Sequence, residues 1–437
     1  MKLMTPTRFR HRRGEQGITI LLVAVCMAFI VVAFAALAVD VTALYTARAE
    51  ARLAADAGAL AGAKALSLSG MTSDPTNLNL QTAAIALARQ VAIATASSND
   101  VGGRQLLPAE VTVSIPVSAS FTVNPQVTVT VRRTDLPAFF SKIWGTQTLT
   151  VSGTAIAEAY NPSNAGTLGG GASTPPIAPT CVKPWILVNL DPTQPSGTSI
   201  FNPSTGATVN SMVGKSFTIT RACLTNGCLP GTVPPPTVAS AGQYYDGGFS
   251  APNAGTLPAS CSLGCTYEQN IGACSPTPIS CDSTSAQNQV VLDQSGSCGS
   301  YESSTVNAAS CLTHSALGAD TITVTGSPVV IPPQFFAGGG NPLVANSVIS
   351  SGDEIMNSAS IVTIPVVNLT PWPVGGTPLN IVGFLQVFIN SSTMVAGKAQ
   401  TVVTVLNVSG CGTSPGRSGN PVLGDGVSPV PVRLTQN

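Results

Sequence analysis

Charge is scarce in this sequence: 9% of its 437 residues are Asp, Glu, Lys or Arg, and the two signs cancel. Five of the 19 basic residues (Lys2, Arg8, Arg10, Arg12 and Arg13) fall in the first 13 positions, so the remainder is mildly acidic. Such a chain has no electrostatic grip on a phosphate backbone, which excludes nucleic acid as a partner. Histidine is scarcer still. His11 lies in the basic tail, leaving His314 alone for acid–base work, and the sequence contains no H-E-x-x-H helix. Gly214-Lys215-Ser216 has the ending of a phosphate-binding loop, but the Gly required five positions earlier is Val209, so the segment reads as a turn into a strand. The expectation is a protein that is no enzyme, with no cofactor and no metal.

What is plentiful is Gly (42) and Pro (34), the balance of exported, turn-rich β proteins, on a chain long enough for an anchor and two exported modules. Ile18 to Val39 carries no charge. About 22 residues at ~1.5 Å each reach ~33 Å, enough for a hydrocarbon layer of ~30 Å. The basic cluster before this run, residues 1–17, predicts a cytoplasmic tail and places everything after Asp40 outside the cytoplasm, a single-pass, N-in/C-out topology. A cleaved signal peptide is the competing reading. Its apolar region is normally ~7–15 residues, and Val39-Asp40-Val41 lacks a small-residue cleavage site.

Of 11 cysteines, Cys26 lies in the apolar run. The other ten (Cys181, Cys223, Cys228, Cys261, Cys265, Cys274, Cys281, Cys298, Cys311 and Cys411) predict disulfides in an oxidising compartment, with roughly 945 pairings open. Zinc on Cys223/Cys228 and Cys261/Cys265 is the alternative, though no nearby His completes a tetrahedral site.

Asp40 to Leu68 has no Pro and many Ala, so the apolar helix should continue outward as one rod. Ala54, Gly58, Ala61, Gly62 and Ala65 form a face small enough for close backbone approach by a partner helix or by the chain's own sheet, beside a stripe of Arg48, Arg52 and Asp56. A second helix is expected from Gln81 to about Thr95. Alternating strands follow around Val111–Ile115, Val127–Val131 and Thr148–Ala159, with a turn or short helix from Asp135 through Trp144. The Gly/Ser/Pro-rich stretch 161–180 reads as a linker between a module at 40–160 and a Cys-containing, mainly β domain at 181–437. In the latter, Phe217–Thr220, Thr321–Val324, Ile361–Val367, Ile381–Ile389 and Thr401–Val408 read as strands of a sandwich-like or irregular core. Asp293-x-Ser295-x-Ser297 after an apolar strand resembles the metal-dependent adhesion site of von Willebrand factor A domains, which would make the chain a metal-dependent adhesin. The Ser-, Gly- and Pro-rich sequence that follows does not suit the helices of that fold.

From Arg12 to Ala63 the chain resembles the N-terminal segment of the TadE/TadG-like proteins of Flp (tight adherence) pilus assembly, whose pattern is close to D-x-x-x-L-Y-x-x-R-x-x-L-Q-x-A-A-D-A-A-A-L-A-G-A. The matching residues are Asp40, Leu44, Tyr45, Arg48, Ala54, Ala55, Asp56, Ala57, Ala59, Leu60, Ala61, Gly62 and Ala63. The departures are Ala51-Arg52 for Leu-Gln, Leu53 at a usually polar position, and Gly58 for Ala. Phe139 to Gly145 and Thr154 to Ala157 resemble the end of that family's first exported module. Ile364-Pro365-Val366-Val367 and Val382-Gly383-Phe384-Leu385 resemble the TadG type loosely. The resemblance implies an α+β fold, with a transmembrane helix continuing into a pilin-like helix-plus-sheet module. It also implies a role in Flp pilus assembly or pilus-associated adhesion at the bacterial inner membrane, with other assembly or pilin subunits as partners. Prepilins are cut after a Gly and carry Glu at the fifth mature position; after Gly17 that position is Leu22, so an uncleaved anchor is expected. A generic anchored envelope protein unrelated to pili is the remaining alternative.

Overall fold

The computed structural model describes residues 15–116, 124–137, 140, 145, 148–163, 176–195, 197–203, 206–222, 239–252, 261–281, 290–293, 298–368, 378–411, 422–423 and 428–435. The chain divides into two compact units. One comprises Met1–Ala55, Thr95–Thr112 and Thr130–Thr154, the other Asp56–Ala94, Val113–Val129 and Ala155–Asn437.

Helix α1, Glu15–Leu68, is a single 54-residue helix, as its Ala-rich, Pro-free sequence predicts. Its inner half is apolar all round and uncovered by the chain: Ile18, Phe29 and Phe34 are 70%, 72% and 68% exposed. The helix is long and apolar enough to cross a membrane, a test that a signal sequence also passes. Helix α2, Leu78–Ser97, begins earlier than the sequence pattern indicates, because the Asn77 side chain accepts a hydrogen bond from Leu80 N at 3.2 Å and caps it. It buries Leu80, Ala84, Ala88, Ala92 and Ala96, a stripe four residues apart.

A small ribbon follows, β1 Asp100–Val101 against β2 Arg104–Gln105. Strands β3 Val111–Ser114, β4 Gln126–Pro137 and β5 Thr148–Ala159 alternate buried and open positions, with Val127, Val129 and Val131 inward. β4 runs on through Asp135-Leu136-Pro137, where a turn is expected; the buried alternation continues to Arg133 and then changes phase, leaving Asp135 exposed and Leu136 buried. The expected helix at 138–144 lies outside the described residues apart from Phe140.

The remaining elements are β6 Ile177–Ala178, β7 Trp185–Val188, β8 Ser216–Arg221, β9 Gln243–Gly248, α3 Thr266–Gly272, β10 Val291–Leu292 and α4 Tyr301–Leu312. They continue with β11 Thr321–Thr323, β12 Gln334–Phe336, α5 Pro342–Ala345, β13 Glu354–Ile355, β14 Ile361–Val367, β15 Ile381–Val395, β16 Lys398–Gly410, β17 Val422–Leu423 and β18 Val432–Leu434. The expected sandwich-like or irregular core is instead a closed barrel. Strands pair in the order β9-β7-β14-β15-β16-β8, and β8 then pairs with β9 to close the ring, while β10 adds to β9 outside it. Two of the joints, β7–β14 and β8–β9, are parallel and the others antiparallel. Closure satisfies the backbone groups that edge strands would leave open.

Alternate residues of all six strands point inward, among them Leu187, Ile219, Tyr244, Ile364, Leu385, Val387 and Val405, joined by Tyr267 and Ile271 of α3 and Tyr301, Ala308 and Ala309 of α4. The outer face is covered as well, by a cluster including Tyr160, Ile186, Val188, Ile381 and Phe384 and another around Phe335, Ile355, Phe388 and Leu406. Burial on both faces explains why all seven residues of β14 are enclosed and why it reads as a continuous apolar run. Each such side chain contributes roughly 1.5–3 kcal/mol over exposure. A three-stranded sheet, β11-β12-β13, flanks the barrel region, and β18 joins β5, β4 and β3 in a four-stranded sheet.

Candidate functional site

The residues singled out on α1 fall into two environments. In the first unit, Asp40 is buried and its carboxylate accepts the Phe140 N–H at 3.1 and 3.4 Å. Leu44 is half-buried, whereas Tyr45, Arg48 and Arg52 are exposed. Nearly three turns beyond Asp40, Glu50 Oε2 accepts the Gly102 N–H at 2.6 Å. Gly102 has φ +59° and an added Cβ would lie 2.2 Å from Leu136 Cδ2, so this turn needs glycine. Gly153 of β5 passes directly over the helix: a Cβ there would sit 2.7 Å from Ala51 C and O and from Arg52 N. Sequence reasoning missed both glycines; Gly153, inside an alternating strand, carried the usual signal of a close backbone approach.

The same unit holds an ion network. Arg104 reaches Glu110 at 2.7 Å and Asp135 at 2.9 Å, and Arg133 reaches Asp135 at 2.7 Å while also donating to the carbonyls of Val101 and Gly102. Hydrogen bonds from Arg133 and Arg104 hold the Asp135 carboxyl down to about 2, and the bond from Arg104 lowers that of Glu110. These groups fix the β1–β2 turn against the end of β4. A groove of about 640 Å³ opens beside them, between Val39, Thr42, Ala43, Thr46, Ala47 and Glu50 of α1 and the Gly102-Gly103, Leu136-Pro137 and Leu149 wall.

In the second unit, Gly58, Gly62 and Ala65 are buried, as is Ala54 in the first; Asp56 and Ala61 are half-exposed. A Cβ on Gly62 would lie 2.9 Å from Val127 Cγ1, 3.1 Å from Ala92 Cβ and 3.2 Å from Ala88 O, so the chain's own α2 and β4 occupy this part of the small-residue face. The outer end of α1 is bonded to β16. Asn407 Nδ2 donates to Ser67 O at 2.7 Å, Ser73 Oγ donates to Val408 O at 3.0 Å, and Asn161 Nδ2 donates to Thr72 O and Val408 O at 3.2 and 3.0 Å. Asn161, the first residue of the expected linker, is thus fully buried; residues 164–175 lie outside the described residues.

Asp293 is buried at the end of β10, and its Oδ2 accepts Tyr301 Oη at 2.6 Å. The Tyr301 ring lies under the Arg221 guanidinium, 4.6 Å from Cζ, and Arg221 Nη2 meets Asp246 Oδ2 at 2.6 Å. Burial pushes the Asp246 carboxyl up against the opposing pull of Arg221, and pushes the Tyr244 and Tyr267 hydroxyls up where they meet Thr305. Ser295 and Ser297, the hydroxyls of the adhesion-site reading, lie outside the described residues. His314 occupies the turn after α4 at φ +54°. Lys183 is buried and donates to Ala273 O at 2.6 Å, with its amine pushed down to about 7 by desolvation.

Eight of the ten candidate cysteines are paired: Cys181–Cys274, Cys261–Cys311, Cys265–Cys298 and Cys281–Cys411. Cys261 and Cys265, half of the alternative zinc set, therefore bind different partners, Cys311 in the last turn of α4 and Cys298 just before its start. Cys223 and Cys228 lie outside the described residues, and Cys26 is a free thiol on α1.

No curated protein and no solved structure matches this chain. Residues 17–65, which span the apolar half of α1 and nearly all of its covered half, match the family model described as "Putative Flp pilus-assembly TadE/G-like".

Proposed function

We propose that this chain is a membrane-anchored, non-enzymatic component of Flp pilus assembly, or of pilus-associated adhesion, in the bacterial inner membrane. Supporting this reading is the coincidence of the family match at 17–65 with one helix that is apolar and bare over its inner half and clothed by the chain's own sheet and α2 over its outer half. The basic tail stays in the cytoplasm and the barrel is exported, consistent with four disulfides among the described residues. On this reading the chain is of the TadG type, and the outer part of α1 with β3–β5 corresponds to a pilin-like module. Docking to other pilus subunits uses the exposed stripe at Tyr45, Arg48 and Arg52, since Gly62 is already covered from within.

Arg48→Glu tests this directly. It should reduce surface pili or adherence while the protein's abundance and membrane insertion stay normal. Normal pili in a strain lacking the protein altogether would remove the pilus reading.

A further inference from the structure

The groove beside the first turns of α1 after the apolar run has no part in the roles above. We infer that it holds one acyl chain of an outer-leaflet phospholipid, drawn up from the bilayer along α1; the inference rests on the membrane-anchored reading. Its volume of about 640 Å³ falls within the ~300–1,000 Å³ typical of pockets that enclose a ligand. Val39, Thr42, Ala43, Thr46, Ala47 and Glu50 recur at three- and four-residue spacing, so they form one helical face. Short side chains at 42, 43, 46 and 47 leave the space, and Leu136, Pro137 and Leu149 wall it opposite.

Continuity argues for lipid. Ala38 and Val39, at the lower end of the lining, belong to the uncharged run Ile18–Val39, so the mouth of the groove opens where a spanning helix leaves the hydrocarbon. From Val39 to Glu50 the helix rises ~16 Å, a distance that crosses the headgroup layer. Asp40, the first charge outward, is buried and engaged by Phe140 N rather than facing water. The chemistry of the lining argues for a tail and not a headgroup. Among the described residues, no Lys or Arg lines the groove, and the carboxylate that does, Glu50, is already bonded to Gly102 N at its upper end. A phosphate would find no cation among these residues, while an alkyl chain meets a mainly apolar wall in which the Thr42 and Thr46 hydroxyls are turned to the carbonyls of Ala38 and Thr42.

The test uses the full chain in nanodiscs containing phosphatidylethanolamine with a diazirine on one acyl chain, followed by photolysis and peptide mapping. Lipid adducts are expected on Thr42–Ala47 and on Leu136 or Leu149 in addition to the apolar run. Ala43→Trp, at an exposed position, should fill the groove and lower those outer adducts at least fivefold while leaving adducts on Ile18–Val39 unchanged. Adducts confined to Ile18–Val39 would overturn the groove assignment and leave the anchor standing. Their absence everywhere, with protein recovered free of the membrane, would remove the anchor itself. A photoreactive benzoylphenylalanine at Thr46 should acquire the mass of a phospholipid; cross-links to a second copy, or to another segment of the same chain, would instead assign the groove to protein.

Discussion

Single residues divide sharply by what surrounds them. Gly62 and Ala61 are neighbours on α1, yet a side chain on Gly62 would enter Val127, Ala92 and the Ala88 carbonyl, whereas Ala61 is half-exposed. Gly62→Leu should therefore lower steady-state abundance, overpacking costing ~1–3 kcal/mol or more, while Ala61→Leu should leave it near normal; quantitative blotting of membrane fractions compares the two, and equal abundance would contradict the packing described. Tyr301→Phe removes the hydroxyl donated to buried Asp293 and should cost ~1–3 kcal/mol, read as a lower thermal midpoint with unchanged metal content. Lys183 gives a pH signature. Its amine titrates near 7 when folded and at ~10.4 when unfolded, so between those values the unfolded chain holds more protons and stability from this residue rises with pH. Lys183→Met should thus be most favourable relative to the parent at or below pH 7, and that advantage should shrink toward pH 10. Thermal midpoints across the range check this, and a flat difference would show that the amine is not desolvated as described.

At the level of elements, local pattern was a good guide wherever one strand or helix could decide its own state. Ile361–Val367 reads as a strand because both of its faces are buried, and α1 reads as one rod because nothing between Ile18 and Gly58 breaks it. Other elements depended on distant partners. β15 and β16 outrun their apolar centres into Asn390–Val395 and Lys398–Gln400, polar segments held as a hairpin by mutual pairing and by Ala396 and Gly397 at positive φ. α4 escaped notice because YESSTVNAASCL has poor helix propensity; its Ser300 cap, its packing on the barrel and the bonds at Cys298 and Cys311 override composition. Barrel closure was illegible because β7 pairs with a strand nearly the length of a domain away. Disulfides enforce such distant joints unequally. Cys281–Cys411 closes 130 residues and Cys265–Cys298 closes 33; chain entropy assigns the longer loop about 1 kcal/mol more. Replacing Cys281 and Cys411 with Ala should lower the thermal midpoint more than replacing Cys265 and Cys298, and the reverse order would mean that local packing around α4 outweighs loop closure.

For the whole molecule, the family match covers α1 and says nothing of the barrel, so the proposed topology needs its own test. An alkaline phosphatase fusion after Ser163 should be active and N-terminal sequencing should find residues preceding Gly17; a mature chain beginning at Ile18 would contradict the uncleaved anchor. The sheet containing β5 adds a constraint of timing. Its Ala157–Ala159 edge is completed by Val432–Leu434, and Glu158 is bonded to Arg433, 275 residues later. At ~5–20 residues per second of synthesis, that edge waits roughly 15–55 s after it emerges before its partner strand exists. During the wait it is a hydrogen-bonding template open to any extended chain nearby. A nascent protein of this design is therefore exposed to mispairing until its last residues are made, and a shortened chain keeps a sticky edge permanently. A holding factor that shields β5 during this interval, and proteolysis that removes chains in which the edge is never filled, become part of what the fold demands of its cell.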